Sequence, residues 1–156
     1  MTNTSITDSI YILEFTRKRI IDLLNSKTTE QLNKIPASFK NNIIWNAGHC
    51  LATQNLLTYG LSGLPFGIET EFIEIFRKGT SPELMANEAY VQHIKAQLLS
   101  SPKQLLDTYK NGAFKSFQVY ETSYGATLNN IEQAIAFNNT HEALHLGIMM
   151  AQSKLV

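Results

Sequence analysis

The chain has 156 residues, 44% of them hydrophobic, and its 13 basic residues balance 13 acidic ones. At this length one domain over residues 1–156 can bury well over half of its unfolded surface without disulfides, and zero net charge offers nothing to attract a phosphate backbone or an anionic lipid surface, which sets nucleic acid aside as a partner. Cys50 has no second cysteine to pair with, residues 1–8 lack the apolar stretch of a secretory signal, and no apolar run is long enough to span a bilayer, so a reducing, cytoplasmic setting without membrane attachment is expected.

Ile6, Ile10, Leu13, Ile20 or Ile21 and Leu24 follow the 3.6-residue period of a helix with one buried face. Asn3, Thr4 or Ser5 is expected to cap it, and its end is expected near residues 25–27, before the polar pair Thr28-Thr29. Residues 31–36 read as a loop with one short turn. Asn41-Asn42 offers the next cap, and over residues 43–59 Trp45, His49, Ala52, Leu56 and Tyr59 share a face. This second helix ends before Gly60 or Gly63, and Pro65 blocks continuation.

Residues 62–80, rich in glycine and aromatics, read as a structured loop with a brief helical turn. A loop of this length in a compact domain tends to be functional. Part of the loop from Leu61 to Thr80 is expected to cover the pocket as a lid, with Phe66, Phe72 and Phe76 as its aromatics; the alternative is that these phenylalanines plug one end of the helices. Ser81-Pro82-Glu83 is a helix start signal, with serine as cap and proline in the first turn. Val91, Ile94, Leu98, Leu105 and Tyr109 then keep one phase across Pro102, as one kinked helix or two end-to-end pieces. Residues 112–125 carry Phe114, Phe117, Val119, Tyr120 and Tyr124 without helical spacing and read as an extended crossover. Asn129 with Glu132 resembles a capping box opening a last helix that runs almost to the C-terminus. The expected fold is all-α: an antiparallel four-helix bundle with long crossover loops.

The chemistry concentrates in three histidines. His141 and His145 are four residues apart, so on a helix both imidazoles leave one face about 6 Å apart along the axis and can converge on one ion. His49 sits on another helix, and three neutral imidazoles with an open fourth position form a familiar catalytic metal site. A His-x-x-x-His pair taken alone is more often a surface or packing pair. Burying several imidazoles without partners is costly, however, which favours a shared ion. Asn46, Thr53 and Asn138 are placed to hold the second ring nitrogens, because a ligating imidazole usually donates its other N–H to a carbonyl, amide or carboxylate. Glu142 points about 100° away around the helix, off the ligand face. The string from His141 to His145 also matches the His-Glu-x-x-His of zinc proteases, but its place near the C-terminus of a small helical chain, with the third histidine upstream, counts against a protease. His93 lies off the apolar stripe of its helix and should face solvent. Cys50 cannot face His49 from the adjacent position and reads as a small buried side chain. No Gly-rich phosphate loop or Gly-x-Ser-x-Gly elbow is present.

Trp45-Asn46-Ala47-Gly48-His49 together with His141-Glu142-Ala143-Leu144-His145-Leu146-Gly147 resembles the DinB-like family, also called the YfiT-like metalloenzymes, over essentially the whole chain. The resemblance implies a four-helix bundle, commonly dimeric, holding a divalent ion, usually zinc or nickel, on three histidines. Those correspond to His49, His141 and His145. Characterised relatives include thiol transferases using bacillithiol, mycothiol or glutathione, a maleylpyruvate isomerase and hydrolases. The family often carries Gly-Gln-Ile after the last ligand, whereas Gly147 is followed here by Ile148. The resemblance ranks a thiol S-transferase acting on small molecules first, ahead of a metal-dependent hydrolase and of a non-catalytic metal-binding module. A homodimer is expected from the resemblance and from the absence of net charge to hold copies apart.

Overall fold

The structure, a computed structural model, describes residues 6–156. The expected caps Asn3, Thr4 and Ser5 lie outside the described residues. Six α-helices and one small hairpin occur among those described: α1 (Ile6–Asn25), α2 (Thr29–Asn33), α3 (Ile43–Asn55), α4 (Thr70–Phe76), α5 (Glu88–Lys110), β1 (Tyr120–Glu121), β2 (Thr127–Leu128) and α6 (Ile131–Gln152). The chain is all-α apart from that hairpin. No helix among the described residues is long and apolar enough to cross a membrane.

Local chemistry sets most boundaries. Thr28 and Gln31 form a reciprocal capping box, which turns part of the expected 31–36 loop into α2. Asn42 caps α3 by accepting from the Trp45 N–H, and α3 runs on into a π-helical turn, Leu56–Gly60. The Ser81-Pro82-Glu83 start signal is not used: α5 begins six residues later, with Asn87 as its cap accepting from the Tyr90 N–H. The reason is tertiary. Asn33 grips the backbone of Ala86 from both sides, Nδ2 donating to its carbonyl at 2.8 Å and Oδ1 accepting from its N–H at 2.9 Å, so this stretch is held out of a helix.

Pro102 does not divide α5. A proline cannot donate to the carbonyl four residues back, here Leu98 O. That oxygen is instead approached by Arg17 Nη1 at 3.5 Å, so a neighbouring helix partly supplies what proline removes. The crossover expected over residues 112–125 contains β1, which pairs antiparallel with β2 through Tyr120↔Leu128 and Glu121↔Thr127. Gly125 (φ 80°) sits in the connecting turn, in a backbone region open to glycine. The cap of α6 falls one residue later than expected. Asn130 accepts from the Gln133 N–H, and the Gln133 side chain accepts from the Asn129 N–H.

The four longest helices meet pairwise: α1 lies against α5 and α6, and α3 lies against α6 and α5. Ile20, Leu24, Ile44, Leu51, Ile94 and Leu98 fill the main core between them, and Ile10, Leu13, Leu105 and Ile135 form a second cluster. The α3–α6 contact matters most for function, because it brings the His49 face of one helix onto the His141/His145 face of the other.

Candidate metal centre

One potential ligand atom from each of His49, His141 and His145 lies within 4.8 Å of the others. The ring centroids are 4.5–5.1 Å apart. His49 is buried, and the two α6 histidines are half-buried. Among the described residues this is the one group of three metal-ligating side chains that could hold an ion.

Surrounding groups fix the direction of two of the three imidazoles. His49 Nδ1 is 2.7 Å from Phe76 O. A carbonyl only accepts, so Nδ1 carries the proton and Nε2 keeps the lone pair. The Thr53 hydroxyl lies 3.3 Å from that Nε2. Trp45 stacks on the same ring at 4.7 Å and 10°, holding its plane. His145 Nδ1 is 2.8 Å from Asn46 Oδ1. The Asn46 amide is oriented by its own partners, since Nδ2 faces Asn42 O at 2.9 Å, Asn41 Oδ1 at 3.0 Å and Gln152 Oε1 at 3.1 Å. Its oxygen therefore accepts the His145 Nδ1–H and leaves the lone pair of His145 Nε2 free. Such outer partners fix the tautomer of a metal-binding imidazole.

Burial lowers the pKa of all three rings. His141 falls to about 3 and His145 to about 4, with neighbouring imidazoles adding to the desolvation, while His49 is lowered by burial and partly restored by its bond to Phe76 O. At neutral pH the cluster is three uncharged imidazoles, each with a lone pair, which suits a borderline divalent cation. The buried Nδ1 of His141 has no hydrogen-bond partner among the described residues. An unsatisfied polar atom in a polar cluster is a second observation that fits an ion there.

The remaining sequence candidates divide. Asn46 and Thr53 reach the imidazoles. Asn138 does not: its Nδ2 donates to Glu142 Oε1 at 2.8 Å, one stripe further round α6. Glu142, off the ligand face as expected, is fully buried in an ion pair with Arg17, with Nε to Oε2 at 2.5 Å and Nη2 to Oε1 at 2.6 Å. Burial would lower the Arg17 pKa, but attraction and hydrogen bonding to Glu142 outweigh it and the pKa is raised. Cys50 is buried, and its thiol is pushed well up by desolvation and then by Glu142, so it is inert rather than nucleophilic. His93 is 37% exposed, its Nε2 3.9 Å from Glu69 Oε2, and it takes no part in the cluster.

Two further contributors, the Phe76 carbonyl and Arg17, do not follow from the spacing of the histidines. The Phe76 carbonyl is a backbone atom and leaves no residue signal. Arg17 did leave one: it occupies the α1 stripe between Leu13 and Ile20, where an apolar residue is due.

The three histidines line a cavity of about 600 Å³ whose walls include Leu56, Leu57, Leu61, Phe137 and Leu144. Of the expected lid, only Leu61 and Lys78 reach it. Phe72 and Phe76 are core residues and Phe66 packs against the core, so these phenylalanines act as the plug and not as the lid. The hairpin instead borders the cavity through Tyr120, Ser123 and Tyr124.

No curated protein is recognisably similar to the chain in sequence. The DinB superfamily, by contrast, matches residues 12–149, through every long helix and all three histidines, and the chain belongs to that superfamily.

Proposed function

We propose that this chain is a single-domain, cytoplasmic metalloenzyme in which His49, His141 and His145, on a four-helix bundle, hold one divalent ion, zinc or nickel, and that it transfers a low-molecular-weight thiol such as bacillithiol, mycothiol or glutathione to a small electrophile. The observation that carries this reading is the convergence of three neutral imidazoles on the wall of one apolar cavity. When bound, such an ion supplies Lewis acidity that keeps a thiol in its thiolate form at neutral pH. The chain's own residues do the rest. Phe76 O and Asn46 aim the lone pairs of His49 and His145, Trp45 fixes one ring plane, and the leucine walls limit water around the reacting sulfur.

Metal per chain, measured by mass spectrometry, tests the ligand set. His49→Ala, His141→Ala and His145→Ala should each lose stoichiometric metal, and His93→Ala should keep it. Full occupancy in His141→Ala would remove the assignment. Thiol consumption with a panel of electrophiles then tests the reaction. A chelatable ion with no thiol turnover would leave a hydrolase, or a non-catalytic metal-binding module, as the better account.

A second copy of the chain is the partner this reading assigns to the outer face of α1 and α6. Tyr11, Ile12 and Phe15 are 60%, 52% and 48% exposed and form a shallow groove with Leu146, beside Met150. A self-complementary apolar face suits a two-fold dimer. Sedimentation at micromolar concentration should give a dimer for the wild type and a monomer for Phe15→Glu.

A further inference from the structure

The cavity beside the three histidines has an uneven charge. Among the described residues no Asp or Glu lines it, and its one fixed charge is Lys78. Three neutral imidazoles cancel none of the charge of a divalent ion, so the occupied site is positive at both places. An occupant without negative charge would leave that potential unanswered, because field lines are focused in a cleft with low-dielectric walls.

Lys78 is held in place relative to the histidines by its neighbours in sequence. Two residues before it, Phe76 O accepts from His49 Nδ1. Two residues after it, the Thr80 hydroxyl accepts from Trp45 Nε1 at 3.1 Å, and Trp45 is the ring stacked on His49. Thr80 Oγ1 also closes the turn onto Ile75 O and Arg77 O. The lysine backbone is thus tied to the His49 assembly on both sides. Among the described residues its ammonium has no ion-pair or hydrogen-bond partner. The same holds for the hydroxyls of Tyr120, Ser123 and Tyr124 on the hairpin side of the cavity.

We propose that the cavity selects an amphipathic acid: a substrate or cosubstrate with an apolar body against the leucine walls and a carboxylate paired with Lys78, its reactive end at His49, His141 and His145. This deepens the reading above and rests on it for what the reactive end is. A cavity with apolar walls and a few polar groups on one side fixes the orientation of such a molecule through the polar groups. The lysine supplies the charge and the hairpin hydroxyls supply donors, a charge-assisted arrangement stronger than neutral hydrogen bonds alone.

Binding of three probe series to the full chain by calorimetry tests this: ω-mercaptocarboxylates of propanoate to undecanoate length, the matching ω-mercaptoalcohols, and the plain carboxylates, each with zinc-loaded and zinc-free protein. At the best chain length the mercaptocarboxylate should bind about fivefold tighter than its alcohol, the upper end for one exposed ion pair. Lys78→Met should erase that ratio while leaving the alcohol's affinity unchanged, and the plain carboxylates on zinc-free protein should lose affinity in the same variant. An acid-to-alcohol ratio that Lys78→Met leaves within about twofold, or no such ratio at any length, overturns the proposal. The thiol reading is scored separately, by whether the alcohols bind more tightly with zinc than without it. If they do not, and the lysine-dependent ratio persists, the carboxylate subsite stands and the thiol reading falls.

Discussion

Replacing Glu142 by glutamine changes one atom and should still cost a large part of the stability. Arg17 is 1% exposed and all five of its N–H donors are directed: Nε and one Nη2 hydrogen to Glu142, the other Nη2 hydrogen to Gln54 Oε1 at 2.8 Å, and Nη1 to Ser101 Oγ at 2.9 Å and towards Leu98 O. Glutamine at 142 offers one acceptor where the carboxylate offers two, sets an N–H against an N–H, and leaves the guanidinium charge buried without its counter-ion. Breaking a buried pair on one side typically costs about 3–5 kcal/mol. Against a total of about 5–15 kcal/mol for a domain, this is about a fifth or more, and at about 2–4 °C per kcal/mol the melting temperature should fall by about 6–20 °C. Urea unfolding followed by circular dichroism, with Trp45 fluorescence as a second probe, gives the number. Arg17→Met/Glu142→Leu should recover most of the loss, since it removes both charges and leaves apolar volume. A cost under about 1 kcal/mol for Glu142→Gln, or a double variant no better than the single one, would refute the reasoning.

Asn46→Ala should weaken metal binding about 10–100-fold, measured by chelator competition on folded protein, because His145 loses the acceptor that sets its tautomer. Gly48→Ala places a Cβ 2.5–2.7 Å from the Phe76 ring. Overpacking of about 1–3 kcal/mol then outweighs the gain of about 1 kcal/mol in helix propensity, and urea unfolding should show a net loss of stability. In metal-free protein the depressed histidine pKa values make the unfolded chain bind more protons than the native one below about pH 6.5, so stability should fall as pH drops towards about 4 for His145 and about 3 for His141. The slope is up to about 1.4 kcal/mol per pH unit for each, and His141→Gln should reduce it in denaturant titrations at stepped pH.

The parts of this site that could be read in the sequence are those set by helical phase. His141 and His145 share a face because four residues make roughly one turn, and Asn46 stands one turn before His49, so the ligand face and one of its partners follow from spacing. What could not be read depends on contacts between distant segments. Ser81-Pro82 is a sound local start signal, yet Asn33 binding both sides of Ala86 overrides it. Phe76 was legible as an aromatic in a long loop, but its role at His49 belongs to its carbonyl, which any residue could supply. The 120–128 hairpin pairs only two residues on each strand, too few for an alternating pattern to stand out. Arg17 is different, because its position in the sequence does carry a signal. A charged residue on an otherwise apolar stripe requires a buried counter-ion, and Glu142 was the acidic residue flanked by site candidates.

That pairing gives α6 two adjacent stripes with separate duties. Asn138 and Glu142 are four residues apart and bond to each other, while His141 and His145, also four apart, lie one step further round the helix. The first stripe is fixed to α1 through Arg17 and the second faces α3. A rotation of α6 large enough to swing the histidines out of register with His49 would draw Glu142 away from a guanidinium that has no other anionic partner among the described residues, and the cost of that separation opposes the turn. Asn46 resists it from the other side, bonding to His145 and, one helix end further on, to Gln152. The two α6 histidines therefore need no loop to keep them turned towards His49. The direction of the α6 face is set by the same buried polar contacts that decide how the helices pack, which is how a site of one buried and two half-buried imidazoles can be organised in advance of any ion.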